Sequence, residues 1–178
     1  MFRFKIFVLL AFLFFMPYPA HAAGSIGVVD VFDILSNSKA AKDIQAQQSK
    51  LRDQFLSEIS KTEQELRTEE KEILEQRTQL SQEDYLKKRQ AYEAKLLQIR
   101  KMTQEKKRRL EQASNKAMDE LRDQLYIVVQ SIATERGFEL VISNKNVIAG
   151  EKSLDITKET MERLNKTLQK IPLKLEEE

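Results

Sequence analysis

Between residues 37 and 136 the chain contains neither glycine nor proline, and that absence sets most of what it can fold into. Nothing in this stretch bends or stops a helical backbone, and its Lys, Glu, Gln, Arg and Leu are strong helix formers. One helix of that length would run on the order of 150 Å at about 1.5 Å per residue, too long for a single globular helix. The break must come from capping chemistry. Ser81-Gln82-Glu83-Asp84 supplies it: Ser81 can accept from a backbone N–H of a new first turn, and the two acids sit at the positive end of the helix dipole. The sequence predicts two antiparallel helices, residues 37–79 and 82–136, each about 60 to 80 Å long.

Their apolar positions predict how they meet. In the first, Ile59, Leu66, Ile73 and Leu80 recur at steps of seven, while the positions three or four away (Thr62, Glu63, Glu69, Glu70, Gln76 and Arg77) are polar. In the second, Leu110, Ala113, Ala117, Leu121, Leu125, Val128 and Ile132 recur at threes and fours. Such helices zip along one narrow stripe and have little apolar surface left for anything else. The expected object is a hairpin projecting into solvent, firm at its base and weak toward its tip.

The flanks read as a small body. Residues 25–31 (Ser-Ile-Gly-Val-Val-Asp-Val) form a strand candidate, residues 32–35 a helical turn capped by Asp30, and Ser36-Asn37-Ser38 a cap for the long helix. Arg136-Gly137 places a cation in the last turn and then the residue that tolerates a left-handed cap. Phe138, Leu140 and Ile142 alternate on one face, and beyond Asn144-Lys145-Asn146 the run Val147-Ile148-Ala149 reads as the return strand of a β-hairpin. Thr157 is the expected N-cap of a last helix carrying Met161, Leu164, Leu168 and Ile171 on one face and stopping at Pro172. The fold class is α+β, mostly α: a long antiparallel helical hairpin on a small β-rich oligomerisation body. The division is 1–22 signal peptide, 23–36 body, 37–136 hairpin, 137–171 body, and 172–178 an acidic tail, frayed from 173. A body of about 50 residues is marginal alone and needs staples or partner subunits.

Arg3 and Lys5, the apolar run 6–16, and Ala20-His21-Ala22 have the three parts of a Sec-type signal peptide, cleaved near Ala22, so export to the periplasm is expected. The apolar run is too short to span a bilayer, which needs roughly 20 residues. Cleavage removes His21, the one histidine, and the chain has no cysteine. The mature protein thus lacks the side chains most used for acid–base, nucleophilic and metal chemistry near neutral pH. The glycines at 24, 27, 137 and 150 are scattered, so no phosphate-cradling loop is present. No catalytic residue, metal or cofactor is expected, and Glu65, Glu69 and Glu72 read as a solvated face.

Of 30 basic residues, Arg3 and Lys5 belong to the leader, which leaves 28 against 28 acidic ones. With no basic excess, nucleic acid is not an expected partner. The cations are nevertheless clustered: residues 87–109 hold Lys87, Lys88, Arg89, Lys106, Lys107, Arg108 and Arg109 among others, facing the acidic segment 58–75. Neutralisation across the hairpin is one reading; the other is a surface for lipid phosphate or an acidic client. Phe55, Leu56, Leu74, Tyr85, Tyr92, Leu97 and Met102 serve equally as seam packing or as small apolar spots that bind unfolded chains weakly.

Ile26-Gly-Val-Val-Asp-Val-Phe-Asp-Ile-Leu-Ser-Asn-Ser-Lys-Ala40, the charged hairpin, Gly137-Phe-Glu-Leu-Val-Ile-Ser and Asp155-Ile-Thr-Lys-Glu-Thr-Met-Glu-Arg-Leu-Asn165 together resemble the Skp/OmpH family of periplasmic chaperones. The resemblance spans essentially the mature chain, carried by the two ends; the helices between match in composition and length. It implies an ATP-independent holdase, a homotrimer whose tentacles enclose unfolded outer-membrane β-barrel proteins and keep them from aggregating during outer membrane assembly. It implies further that Ile26, Val28, Phe138, Leu140 and Ile142 lie in the oligomerisation body. The family's suggested lipopolysaccharide patch finds candidates by charge alone in Lys87, Lys88 and Arg89. A structural coiled-coil spacer of the envelope is the alternative; it would show a fuller heptad seam and would not suppress client aggregation.

Overall fold

The computed structural model describes residues 25–175; the expected signal peptide and the last three residues of the tail lie outside them. In chain order the elements are β1 (Ser25–Val29), α1 (Val31–Asn37), α2 (Lys39–Glu75), a 3-10 turn (Gln76–Thr78), α3 (Gln82–Arg136), β2 (Phe138–Ser143), two further 3-10 turns (Asn144–Asn146 and Lys152–Leu154) and α4 (Thr157–Thr167). Strands β1 and β2 pair in parallel. Parallel neighbours need a crossover, and here the crossover is the entire helical hairpin.

The caps act where the sequence puts them. Asp30 accepts from the Asp33 N–H at 2.9 Å and starts α1. Ser38 ends α1 and also caps α2 through the Ala41 N–H, so the expected helical turn is a separate short helix and the long helix starts at Lys39, two residues later than expected. Its long helix closes at Glu75, with the chain tightening into the 3-10 turn where helix to residue 79 is expected. Ser81 accepts from the Asp84 N–H at 3.1 Å, and α3 then runs unbroken to Arg136. Gly137 takes φ 69°, the left-handed conformation that a Cβ disfavours.

The expected β-hairpin is not formed. After Ser143 the chain enters a 3-10 turn, and residues 147–149 pair with nothing as a strand. The other side of β1 is filled by a single bridge at Asp155, where the Ile156 N–H donates to the Val28 carbonyl at 2.8 Å. Thr157 is also not the cap of α4. Ile156 holds that position, and the Thr157 hydroxyl accepts from the Asp30 N–H at 2.8 Å, tying α4 to the end of β1.

Helix α4 ends at Thr167, one turn short of the expected stop. Leu168 and Ile171 continue as an extended strap, with Ile171 buried. The Gln47 amide grips that strap from both sides of Pro172: Nε2 donates to the Ile171 carbonyl at 2.8 Å, and Oε1 accepts from the Leu173 N–H at 3.0 Å. The frayed tail expected from residue 173 is therefore corrected; Leu173 packs on the core.

The main core is not confined to the body. Val29, Ile34, Ile156, Leu164 and Ile171 bury themselves against the hairpin base, where Ala40, Ala41 and Ile44 of α2 meet Ala117, Leu121, Leu125, Val128 and Ile132 of α3. The alanines let the two backbones approach, and the large residues of α3 form the central pillar. A second, small cluster of Leu66, Ile73 and Tyr92, flanked by Tyr85, Leu96 and Ile99, lies near the tip. Between Ile44 and Leu66 no residue of α2 is buried, a span of about 33 Å. The distal seam is thin, as expected, with three buried residues against the thirteen of the main core, and the middle is covered from α3 alone, by Leu110, Ala113 and Ser114.

Candidate functional site

Two surfaces carry the residues singled out in the sequence: the outer face of the sheet and the two arms of the hairpin. On the sheet, Ile26 pairs with Leu140 and Val28 with Ile142 in register. Ile26 is 41% exposed and Leu140 53%. Phe138 does not share their face. The register shifts between Ser25 and Ile26, leaving Glu139 as an extra residue, and a one-residue shift turns the side chains that follow to the opposite face. Phe138 and Val141 therefore pack on the core, and the Phe138 ring lies where a Cβ on Gly27 would approach within 3.1 Å. The outward residues of the pair form an apolar strip left open on the single chain.

Sequence reasoning missed the other open apolar residues of this end. Phe32, Tyr126, Ile127 and Ile148 are all exposed, with the Lys145 ammonium 5.0 Å from the centroid of the Phe32 ring. The signal for two of them was available: Leu125-Tyr-Ile-Val-Val129 is an unbroken apolar run on a helix whose seam needs only Leu125 and Val128. Exposed apolar residues gathered at one end mark a surface that a partner covers.

On the arms, the aromatic candidates separate. Tyr92 is buried and Tyr85 packs beside it under the Arg77 guanidinium, so these two belong to the seam and are withdrawn as surface contacts. Phe55 is half-buried with the Lys106 ammonium 5.2 Å from its ring centroid. Leu56, Leu74, Leu97 and Met102 are exposed and stand apart from one another, scattered spots rather than one continuous groove.

The basic candidates are mostly engaged. Lys87 pairs with Glu83 at 2.8 Å, Arg89 with Glu93 at 3.2 Å, and Lys88 donates to Gln76. Arg108 and Arg109 both reach Glu105, whose carboxyl is lowered to about 2 by the hydrogen bond from Arg108 first and then that from Arg109. Lys106 pairs with Glu58 and Lys95 with Glu69 across the two arms. Neutralisation accounts for most of the cluster, within each helix as much as between them. Being exposed, each pair contributes little to stability. Lys107 makes no ion pair among the described residues.

Among the described residues no group of acidic side chains is placed to hold a metal ion, and no helix is long and apolar enough to cross a membrane. The strongest polar constellation is structural. Arg163 makes a two-pronged contact with Glu135, 2.6 Å at each prong, and reaches Glu159, which also pairs with Arg136, locking α4 against the end of α3.

A long helical hairpin crossing over between two parallel strands, with an apolar strip open at its base, defines an OmpH-type architecture. The family model for the outer membrane protein (OmpH-like) family matches residues 25–164, and the chain belongs to that family. Among solved structures, an OmpH-like protein from Caulobacter crescentus CB15, a candidate outer membrane chaperone, superposes with a TM-score of 0.81 over 92% of this chain and 97% of its own. The identity is 16%, so this likeness speaks for the fold alone. Among curated proteins none matches the chain.

Proposed function

We propose that this chain is a periplasmic, ATP-independent holdase that assembles through its body, as a homotrimer, and encloses unfolded outer-membrane β-barrel proteins between its helical hairpins. The observation that carries this reading is the division of the molecule into an open apolar strip at the base and a long charged hairpin with scattered apolar spots. The strip of Ile26 and Leu140 suits a permanent subunit contact. The arms suit many weak contacts and stay soluble because charge surrounds each apolar spot. Membership of the OmpH-like family supports the same assignment.

Dilution of an unfolded outer-membrane β-barrel protein from urea into the mature chain, without nucleotide, should leave it in solution as judged by light scattering. Removing a matched length of both arms, residues 59–102 closed by a short turn, should abolish protection while the body still assembles. Full protection by that shortened chain would refute the reading and return the hairpin to the role of an envelope spacer. Leu140→Asp tests the assembly separately. Leu140 is half open in the single chain, so a carboxylate there disturbs the isolated fold little, but in a subunit contact it buries an unpaired charge. The expected result is a smaller particle with unchanged helical circular dichroism.

A further inference from the structure

The middle of the hairpin, where α2 buries no residue, holds an open groove of about 630 Å³. Its floor is apolar, from Phe55, Leu56 and Ile59 on α2 and Leu110 on α3. Its rim is mostly basic, from Arg52, Lys106 and Lys107. The volume falls within the range of roughly 300–1,000 Å³ typical of ligand sites and has room for more than one side chain. Leu56, 58% exposed, has most of its surface still to bury.

We propose that this groove is a capture point for an extended polypeptide segment in which an aromatic or large apolar side chain stands beside a carboxylate; this deepens the holdase reading and rests on it. The apolar side chain enters beside Phe55 and Leu56. The carboxylate meets Arg52 and Lys107, which form no ion pair among the described residues. Lys106 pairs across the arms with Glu58, and its ammonium lies 5.2 Å from the centroid of the Phe55 ring, so its charge is already engaged at one wall of the groove. Charge complementarity selects the partner: Glu111 on the rim and Glu58 beside it repel a multiply charged phosphate, whereas a polypeptide offers single carboxylates, cations and apolar groups in turn. A polypeptide is favoured over a lipid headgroup on that ground. The sites are weak singly, and repetition of the groove in each subunit of an assembly raises the overall affinity through effective concentration.

The test uses the mature full-length protein and fluorescence anisotropy with a labelled 15-residue peptide carrying two phenylalanines, each flanked by aspartates. A second peptide has lysine for each aspartate. The aspartate peptide should bind more tightly than the lysine peptide. Leu56→Glu, at an exposed helical position, should weaken it about tenfold, and Lys107→Glu should erase the preference for aspartate over lysine. Gln98→Glu, at an exposed polar residue outside the groove, should change nothing. Equal loss in Leu56→Glu and Gln98→Glu, or equal binding of the two peptides by wild type, overturns the proposal. So does binding of anionic phospholipid vesicles that Leu56→Glu abolishes while peptide binding is unaffected. Aggregation assays with the unfolded β-barrel protein run in parallel separate the two readings. Protection by wild type and Leu56→Glu alike removes the groove and leaves the holdase. Failure of wild type to protect removes the holdase, and the peptide titration then decides the groove alone.

Discussion

Truncating Leu66 to alanine should loosen the outer half of the hairpin without touching the body. Leu66 is one of three buried residues of the distal cluster, with Ile73 and Tyr92. A buried Leu→Ala change costs about 2 to 5 kcal/mol, the smaller values where the surroundings can relax. A cluster of three residues open to solvent on its flanks relaxes readily, so about 2 to 3 kcal/mol is expected here. Because each 1.36 kcal/mol is tenfold in an equilibrium, distal amides should exchange about 30- to 160-fold faster. The nearest buried residue of the main core on the same arm, Ile44, lies about 33 Å away along α2, beyond the range over which such effects couple. Hydrogen exchange read by mass spectrometry should therefore show the loss in residues 63–99 and unchanged protection in residues 117–132. The melting midpoint of the body should stay where it is. Leu125→Ala, in the main core, should lower protection in residues 117–132 instead. If Leu66→Ala deprotects residues 117–132 by the same factor as the tip, the hairpin is one cooperative unit and the two-cluster account is wrong.

Glu135→Gln should flatten the acid limb of the stability profile. Arg163 first, and the Ser131 hydroxyl second, hold the Glu135 carboxyl down to about 2 from 4.5, so its contribution is present above about pH 4.5 and disappears as pH falls toward 2. Thermal midpoints measured across that window should fall less steeply in the variant; equal slopes would contradict the assignment. Gly27→Ala should destabilise by about 1 to 3 kcal/mol through overpacking, since its Cβ would lie 3.1 Å from the Phe138 ring. Urea titration should show this loss, and adding Phe138→Leu should recover part of it.

Local signals in the sequence determined where the helices begin and end at four points. Asp30, Ser38, Ser81 and Gly137 act within three residues of their own position, and a cap needs nothing beyond the adjacent turn. The absence of glycine and proline between them determined that the arms are helical throughout, and the resemblance at the two ends of the chain pointed to the family. The tertiary structure decided what depends on partners distant in sequence. Val147-Ile148-Ala149 has the composition of a strand, yet β1 is already paired by β2 on one edge and touched by Asp155 on the other. The division of Phe138 from Leu140 turns on one register shift against β1, invisible in an alternating string of residues. Thr157 looks like a cap, but its hydroxyl is claimed by the Asp30 backbone, 127 positions earlier. The core under the sheet is not drawn from the body segments alone: eight of its thirteen buried residues belong to the base of the hairpin. The seam depends on which residue of one arm meets which of the other. Tyr92 reaches Leu66 and Ile73 and closes the tip, while Arg52, Thr103 and Lys106 line a groove in the middle of the hairpin. Period and propensity act over a few residues of one chain segment, and register between two helices is set only when both are folded.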